Sequence, residues 1–135
     1  MSAKNFLEFL KNKEAEFVDL RFTDPRGKLQ HLTMDTSVVD EDMLNDGVFF
    51  DGSSIAGWKA INESDMILKP DTSRFFLDPF TSHNTAVLFC DILDAVKKTP
   101  YERDPRGVAK KAEEYLKASG IGDKAFFATP LGSLS

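Results

Sequence analysis

The sequence predicts an α+β domain over roughly its first hundred residues. Several short segments have the alternation or the β-branched and aromatic content of strands, and only one or two have the spacing of short helices. Short strands that do not alternate regularly with helices favour the α+β class. Twelve phenylalanines supply enough apolar bulk for one compact core.

Composition excludes several classes of function. A net charge of −5 and a pI near 5.0 argue against a nucleic-acid binder, which needs a basic face to neutralise phosphates. No apolar run approaches the roughly 20 residues that span a bilayer. The single cysteine, Cys90, excludes an internal disulfide framework and is typical of a reducing compartment. We therefore expect a cytoplasmic protein with no membrane or nucleic-acid partner.

The first third of the chain predicts a helix followed by a hairpin. Apolar residues spaced as on one helix face open the chain: Ala3, Phe6, Leu7 and Leu10. Residues 17–23 then read as a strand with apolar residues at Phe17, Leu20 and Phe22. Val18 makes the alternation of apolar and polar residues less regular. The turn signal at 23–27 leads into a returning strand over 28–34.

The middle of the chain predicts a short helix and four strands. The helix covers 35–45 and ends before Gly47, which is followed by a strand at 48–50. Residues 66–68 and 74–77 read as two separate strands, because Lys69-Pro70 and Asp78-Pro79 close them. Residues 86–93 form the most strand-like segment of the chain.

A second unit is predicted to begin near residue 101. The composition shifts at 97–100, and Asp104-Pro105 then reads as a helix N-cap with proline in the first turn. The helix covers about 105–118 and carries an apolar face of Val108, Ala112, Tyr115 and Leu116. A strand at about 124–128 and a divergent tail follow. We thus divide the chain into a first domain, 1–100, and an incomplete start of another, 101–135.

The segment 48–58 brings one carboxylate, Asp51, into a loop rich in glycine and serine. On residue types alone, a turn whose Asp and Ser side chains satisfy backbone amides is the favoured interpretation. The alternative is a functional acid whose electrostatics are strengthened by apolar neighbours.

Three motifs, taken together, resemble the amino-terminal region of bacterial type I glutamine synthetase. They are Phe-Phe-Asp-Gly-Ser-Ser-Ile-Ala-Gly-Trp at 49–58, Ser-Asp-Met with Lys-Pro-Asp at 64–71, and Tyr-x-Arg-Asp-Pro-Arg-Gly-Val-Ala at 101–109. The resemblance runs from about residue 3 to about residue 127. It implies a β-grasp domain from about 14 to 97, preceded by a packing helix and followed by the opening helix and strand of the catalytic domain.

The resemblance also implies a reaction and a site. In this family ATP phosphorylates the side-chain carboxylate of glutamate, and ammonia then displaces the phosphate. Asp51 matches the catalytic residue that binds ammonium and takes its proton, and Ser54 matches a hydroxyl ligand of the ammonium. Trp58 is expected to pack the loop, and Ser53 to stabilise the turn.

The departures from the family limit what this chain does alone. The family uses Mg or Mn with ATP, but its Gly-Pro-Glu-x-Glu-Phe segment with the first metal ligand is absent after Phe127, where residues 128–132 carry no acid. We therefore expect no metal, nucleotide or glutamate site here, and a fragment whose tail reflects a frameshift or an altered end. The hypothesis is an inactive N-terminal fragment of a glutamate–ammonia ligase, whose Asp51 loop completes the active site of a neighbouring subunit in a stacked-ring homo-oligomer. The alternative is a β-grasp interaction module that modulates assembly of the full-length enzyme.

The remaining polar residues favour structural roles. His31 and His83 have no partners at metal-ligand spacing and are expected to be satisfied surface or loop histidines. The acidic run 40–42 is unlike a calcium loop and reads as a solvated helix start. Asp91 and Asp94 are expected to cap or solvate a strand end, and Cys90 to be a small buried hydrophobe.

Overall fold

The computed structural model describes residues 3–24, 27–51, 65–95, 99–102, 104–122 and 124. These contain three α-helices, one 3₁₀ turn and five strands, in the order α1 (Ala3–Asn12), β1 (Phe17–Thr23), β2 (Leu29–Asp35), the 3₁₀ turn (Thr36–Val38), α2 (Glu41–Asp46), β3 (Val48–Asp51), β4 (Asp65–Leu77), β5 (Thr85–Asp94) and α3 (Pro105–Ala118).

The five strands form one mixed sheet. Their spatial order is β2-β1-β5-β4-β3, in which β1 and β5 run parallel at the centre and every other pair is antiparallel. A sheet of this kind, with helices on it and no regular βαβ alternation, confirms the predicted α+β class.

The core lies between one face of the sheet and helices α1 and α2. Fully or nearly fully buried side chains from both layers form a single cluster, which includes Phe6, Leu10, Leu20, Leu44, Met66, Leu68, Leu88 and Ile92. The ring of Phe6 meets that of Phe75 edge-on, with centroids 5.2 Å apart. The predicted N-terminal helix is therefore confirmed, and it belongs to the core.

The predicted hairpin is confirmed, with one correction to its phase. Val18, Leu20 and Phe22 are the buried apolar positions of β1, whereas Phe17 is half-buried and lies edge-on to the ring of His83. Val18 therefore follows the core alternation and Phe17 does not.

The prediction of two strands at 66–68 and 74–77 was wrong, because β4 continues through Pro70. The pairing of β4 with β5 shifts register between Pro70 and Phe75. Within this irregularity, Asp71 Oδ1 accepts hydrogen bonds from the backbone amide and the hydroxyl of Ser73. This local turn accommodates Pro70, which has no amide hydrogen to donate, so the strand bends without ending.

The prediction of one helix over 35–45 was wrong, because Asp35 caps a separate 3₁₀ turn and α2 begins only after Asp40, whereas the predicted start of α3 is confirmed. Asp40 caps α2 by accepting a hydrogen bond from the Met43 amide at 2.8 Å, which is the predicted role of the 40–42 acidic run. Asp104 caps α3, with Pro105 in the first turn. The strand predicted at 124–128 falls almost wholly outside the described residues.

Candidate functional site

The edge strand β3 positions the segment that the sequence singled out. Val48 and Phe50 pack against the core, and the Phe50 ring lies 5.4 Å from that of Phe22. Phe49 is 68% exposed. The strand is thus anchored by alternate residues while it forms the edge of the sheet.

Gly47 lets the chain turn from α2 into β3. Its φ is +89°, and a Cβ at this position would lie 2.5 Å from Ile67 Cγ2 and 2.7 Å from the Leu68 carbonyl oxygen. Its amide also donates to the Met43 carbonyl at the end of α2. Only glycine combines this backbone conformation with so close an approach to β4.

Asp51 is the last residue of β3, and its register partner is Asp65, the first residue of β4. The structure therefore places two acidic residues opposite each other where the ladder ends and residues 52–64 begin. Ser54, the second residue predicted for the ammonium site, lies outside the described residues, as do Ser53 and Trp58.

A cluster that the sequence did not predict lies where α3 meets the sheet. The guanidinium of Arg106 donates to Asp91 Oδ1 through Nη1 and to Asp71 Oδ2 through Nη2, with each nitrogen–oxygen distance 2.5 Å. Lys110 Nζ lies 2.7 Å from the other oxygen of Asp91. Asp91 thus makes ion pairs with α3, which is more specific than the solvating role predicted for it.

The electrostatics of this cluster favour the charged forms of Asp71 and Arg106. Partial burial by itself raises the pKa of Asp71, but hydrogen bonds from Ser73 and the ion pair with Arg106 outweigh it and hold that pKa well below its ordinary value. For Arg106, burial lowers the pKa and the two carboxylates more than offset this effect, so its pKa is raised.

Asp104 is the buried carboxylate next to this cluster, with only 2% of its surface exposed. It accepts hydrogen bonds from the Ile92 amide at 3.0 Å and from the Arg106 amide at 3.1 Å. Burial raises its pKa and outweighs these two donors. Its contacts link the start of α3 to the backbone of β5, so its role is structural.

A second polar network lies on β1 and β2. Asp19 is buried and accepts from Arg21 Nε and from the Thr33 hydroxyl, each at 2.9 Å. His31 Nδ1 lies 2.9 Å from the same carboxylate, and Arg21 also reaches Asp78 at 2.6 Å. His31 is therefore a satisfied surface histidine, as predicted.

The other singled-out residues also have the structural roles predicted for them. His83 Nδ1 lies 2.7 Å from Glu16 Oε2 in an exposed pair. Cys90 is buried, and burial first, then the charge of Asp91, raises the pKa of its thiol far above its ordinary value. A thiol of this kind is inert as a nucleophile.

The donor set of the described residues does not fit the Mg or Mn that the family uses. No three His, Cys, Asp or Glu side chains within these residues converge in a way that can hold a metal ion. The carboxylates of Asp71 and Asp91 converge, but on Arg106.

The described part of the chain contains no helix with the length and hydropathy of a membrane span.

The sequence contained only part of the signal for these clusters. Asp19 and Arg21 are two residues apart on one strand, a spacing that places both on one face. Asp71 and Arg106 are 35 residues apart, so their contact follows from topology alone. The local irregularity that turns Asp71 toward α3 follows a proline that we interpreted as the end of a strand.

Comparison with known proteins identifies the domain. Residues 14–95 match the family described as "Glutamine synthetase, beta-Grasp domain". The glutamine synthetase of Rhizobium meliloti (strain 1021) is 64% identical over 125 residues, which are 93% of this chain and 27% of that protein. That of Vibrio cholerae serotype O1 is 51% identical over 123 residues, covering 91% of this chain and 26% of that protein.

The solved structures agree with the fold. A Plasmodium falciparum glutamine synthetase superposes with a TM-score of 0.79 and 25% identity, over 89% of this chain and 23% of that one. A structure titled "Apo GmaS without ligand" gives a TM-score of 0.74 at 19% identity, over 84% of this chain and 26% of that one, and supports the fold alone. The predicted β-grasp fold is thereby confirmed.

The chain spans about a quarter of the length of the curated relatives that it matches. The matched residues cover the sheet and α2, whereas α1 precedes them. On this evidence the chain belongs to the glutamine synthetase family, of which it carries the β-grasp domain.

Proposed function

We propose that this chain supplies the ammonium-binding loop of an ATP-dependent glutamate–ammonia ligase. The loop begins at Asp51, and in the assembled enzyme it completes the active site of a neighbouring subunit. Family membership supports the reaction class, and the 49–58 motif supports the assignment of the loop.

The observation that carries the proposal is the last register pair of the β3–β4 ladder, Asp51 with Asp65. Acidic residues directly opposite each other in a ladder destabilise it. A cation near this end of the sheet offsets that cost, and ammonium is the abundant cationic form of the nitrogen substrate near neutral pH.

The chemistry requires a carboxylate at this position. Ammonium has no free electron pair and is not a nucleophile until it loses a proton. We propose that Asp51 first acts as its counter-ion and then accepts that proton, while the Ser54 hydroxyl accepts a hydrogen bond from the bound ammonium. The resulting ammonia attacks the phosphorylated carboxylate of glutamate, and phosphate leaves.

A chimaera tests this proposal. Residues 1–124 of this chain replace the matching part of the R. meliloti enzyme, and glutamine formation is measured. Loss of a general base typically costs about 10²–10⁴ in rate, so Asp51→Asn is expected to reduce turnover by that factor. Ser54→Ala removes one hydrogen bond from a cation, worth roughly 1.5–3 kcal/mol, and should be milder. An Asp51→Asn chimaera with unchanged turnover would contradict the proposal.

The proposal requires a partner subunit, Mg or Mn, and ATP bound by other parts of the enzyme. The pure chain, whose described residues hold no cluster of metal ligands, is expected to form no glutamine. We expect it to act in the cytoplasm, where its one cysteine, the buried Cys90, stays a thiol.

A second candidate function is modulation of glutamine synthetase assembly. Large apolar side chains are exposed on several elements, among them Phe49 on β3, Phe76 on β4, Phe89 on β5, and Val108 and Tyr115 on α3. Exposed apolar surface of this extent favours association with another protein. A chain that joins full-length subunits in place of one of them would leave their rings incomplete.

Mixing experiments distinguish this candidate from the first. The pure chain is incubated with intact R. meliloti enzyme, and the mixture is analysed by size-exclusion chromatography and by activity. Co-elution with loss of activity supports modulation. Separate peaks with unaltered activity would exclude it and leave the ammonium-loop proposal untouched.

A further inference from the structure

Helix α3 makes little apolar contact with the sheet. None of its residues is buried, and Val108 and Tyr115 are 55% and 73% exposed. An isolated helix of its length is marginal in water, because helix nucleation is costly. Its attachment must therefore come from contacts other than apolar burial.

Charged side chains make the attachment. Four of them join α3 to β4 and β5, and we call them the charged latch: Asp71, Asp91, Arg106 and Lys110. Arg106 bridges both strands with its two terminal nitrogens, and Lys110, one turn further along, pairs with the second oxygen of Asp91. Because the guanidinium is planar, its two hydrogen bonds to different carboxylates fix the orientation of α3 on the strands as well as its distance from them.

The segment before α3 is attached by its backbone. The Tyr101 amide donates to the Ile92 carbonyl, and the Asp94 amide donates to the Thr99 carbonyl, both at 2.8 Å. The Asp104 carboxylate accepts from the Ile92 amide. These contacts hold the chain to β5 up to the first turn of α3, where Arg106 adds its two ion pairs, and Lys110 adds another one turn further along.

We propose that the charged latch is a switch: it docks α3 on the sheet, and it opens while the sheet stays folded. The latch closes through attraction between ions that are one-quarter to one-half exposed, so water is available to solvate them when it opens. The sheet does not need the latch, because its core is a separate apolar cluster on α1, α2 and the strands. Opening frees α3 to change its orientation, and this inference does not depend on the role of Asp51.

Hydrogen exchange of the full chain, followed by mass spectrometry, tests the switch. In Arg106→Gln the amides of α3 should exchange about tenfold faster or more, since each charge-assisted hydrogen bond that is lost is worth at least a factor of this size. Amides of β1 and β5 serve as the internal reference and should keep their protection. Lys117→Gln is the matched control, because it removes an exposed ion pair with Glu113 on the same helix.

Added salt provides a test in the unmodified chain. Raising sodium chloride to about 1 M shortens the Debye length to roughly 3 Å and weakens partly exposed ion pairs. Exchange of α3 should then accelerate in the unmodified chain, and it should accelerate less in Arg106→Gln, which keeps only the Lys110–Asp91 pair of the latch. The switch is overturned if α3 keeps its protection in Arg106→Gln, if Lys117→Gln has the same effect, or if β1 and β5 lose protection together with α3.

Discussion

At the scale of single residues, two glycines with similar positive φ values differ in how closely they approach their neighbours. Gly47 and Gly27 have φ values of +89° and +86°. A Cβ on Gly27 would meet nothing within 4 Å, whereas on Gly47 it would overlap Ile67 and the backbone of Leu68. An alanine at Gly27 therefore meets only the cost of a positive φ, and an alanine at Gly47 meets a clash as well.

Gly27→Ala should destabilise the chain by about 1–2 kcal/mol, the cost of the left-handed conformation for an L-residue. Gly47→Ala should cost roughly 1–3 kcal/mol more, because β3 must also move away from β4. Urea unfolding followed by circular dichroism measures both. Equal losses would show that the approach of β3 to β4 is not tight.

The lowered pKa of Asp71 predicts how the free energy of unfolding depends on pH. Because its pKa is depressed in the folded chain, its carboxylate stabilises the fold above the ordinary value of about 3.9, and this contribution is lost as pH falls through that range and below. Asp71→Asn should therefore lower the free energy of unfolding at pH 7 and reduce the loss between about pH 5 and pH 2.

Asp104 acts in the opposite sense and must be considered in the same titration. Its raised pKa means that the folded chain favours the protonated form, so its contribution is largest at low pH and falls as pH rises. The contribution of Asp104 cancels when the parent chain is compared with Asp71→Asn, because both chains contain Asp104. If the two chains lose stability in parallel on acidification, the ion pair of Asp71 with Arg106 is not formed in solution.

At the scale of elements, α1 lies outside the family match, because it precedes residues 14–95. Phe6 is fully buried against Phe75. Phe6→Ala should cost about 3–5 kcal/mol, because it removes a buried ring and leaves a cavity. The matched control is Phe80→Ala at a 93% exposed position, which should stay within about 0.5 kcal/mol. Thermal unfolding of the two variants checks this, and similar values would mean that α1 is undocked.

The elements show which predictions local sequence supports. The start of α3, the hairpin and the position of β5 follow from caps, turns and alternation over a few residues, and they were predicted. The division of 35–45 into a 3₁₀ turn and α2 was not, because Asp35 and Asp40 each cap an element of their own. The continuity of β4 was not, because Pro70 usually ends a strand and the compensating turn depends on the side chain of Asp71. The partners of Arg106 depend on topology, which no local pattern contains.

At the scale of the whole molecule, the described residues form a packed core but hold no cluster of metal ligands. The sheet, α1 and α2 share one apolar cluster, and no three His, Cys, Asp or Glu side chains among the described residues could hold a metal ion. The composite active site proposed above needs a folded domain of this kind, whose neighbour would supply the metal ligands. The resemblance in 49–58 predicted Asp51 and Ser54 as the ammonium site; Asp51 ends β3, and Ser54 lies outside the described residues.

The most direct test of the proposed role of Asp51 is a rapid-quench measurement of a single turnover by the chimaera with and without Asp51→Asn. Nucleotide cleavage and glutamine formation are recorded separately. We expect Asp51→Asn to leave phosphorylation of glutamate near the parent rate and to slow glutamine formation by about 10²–10⁴. Equal slowing of both steps, or of neither, would contradict a role for Asp51 in binding and deprotonating ammonium.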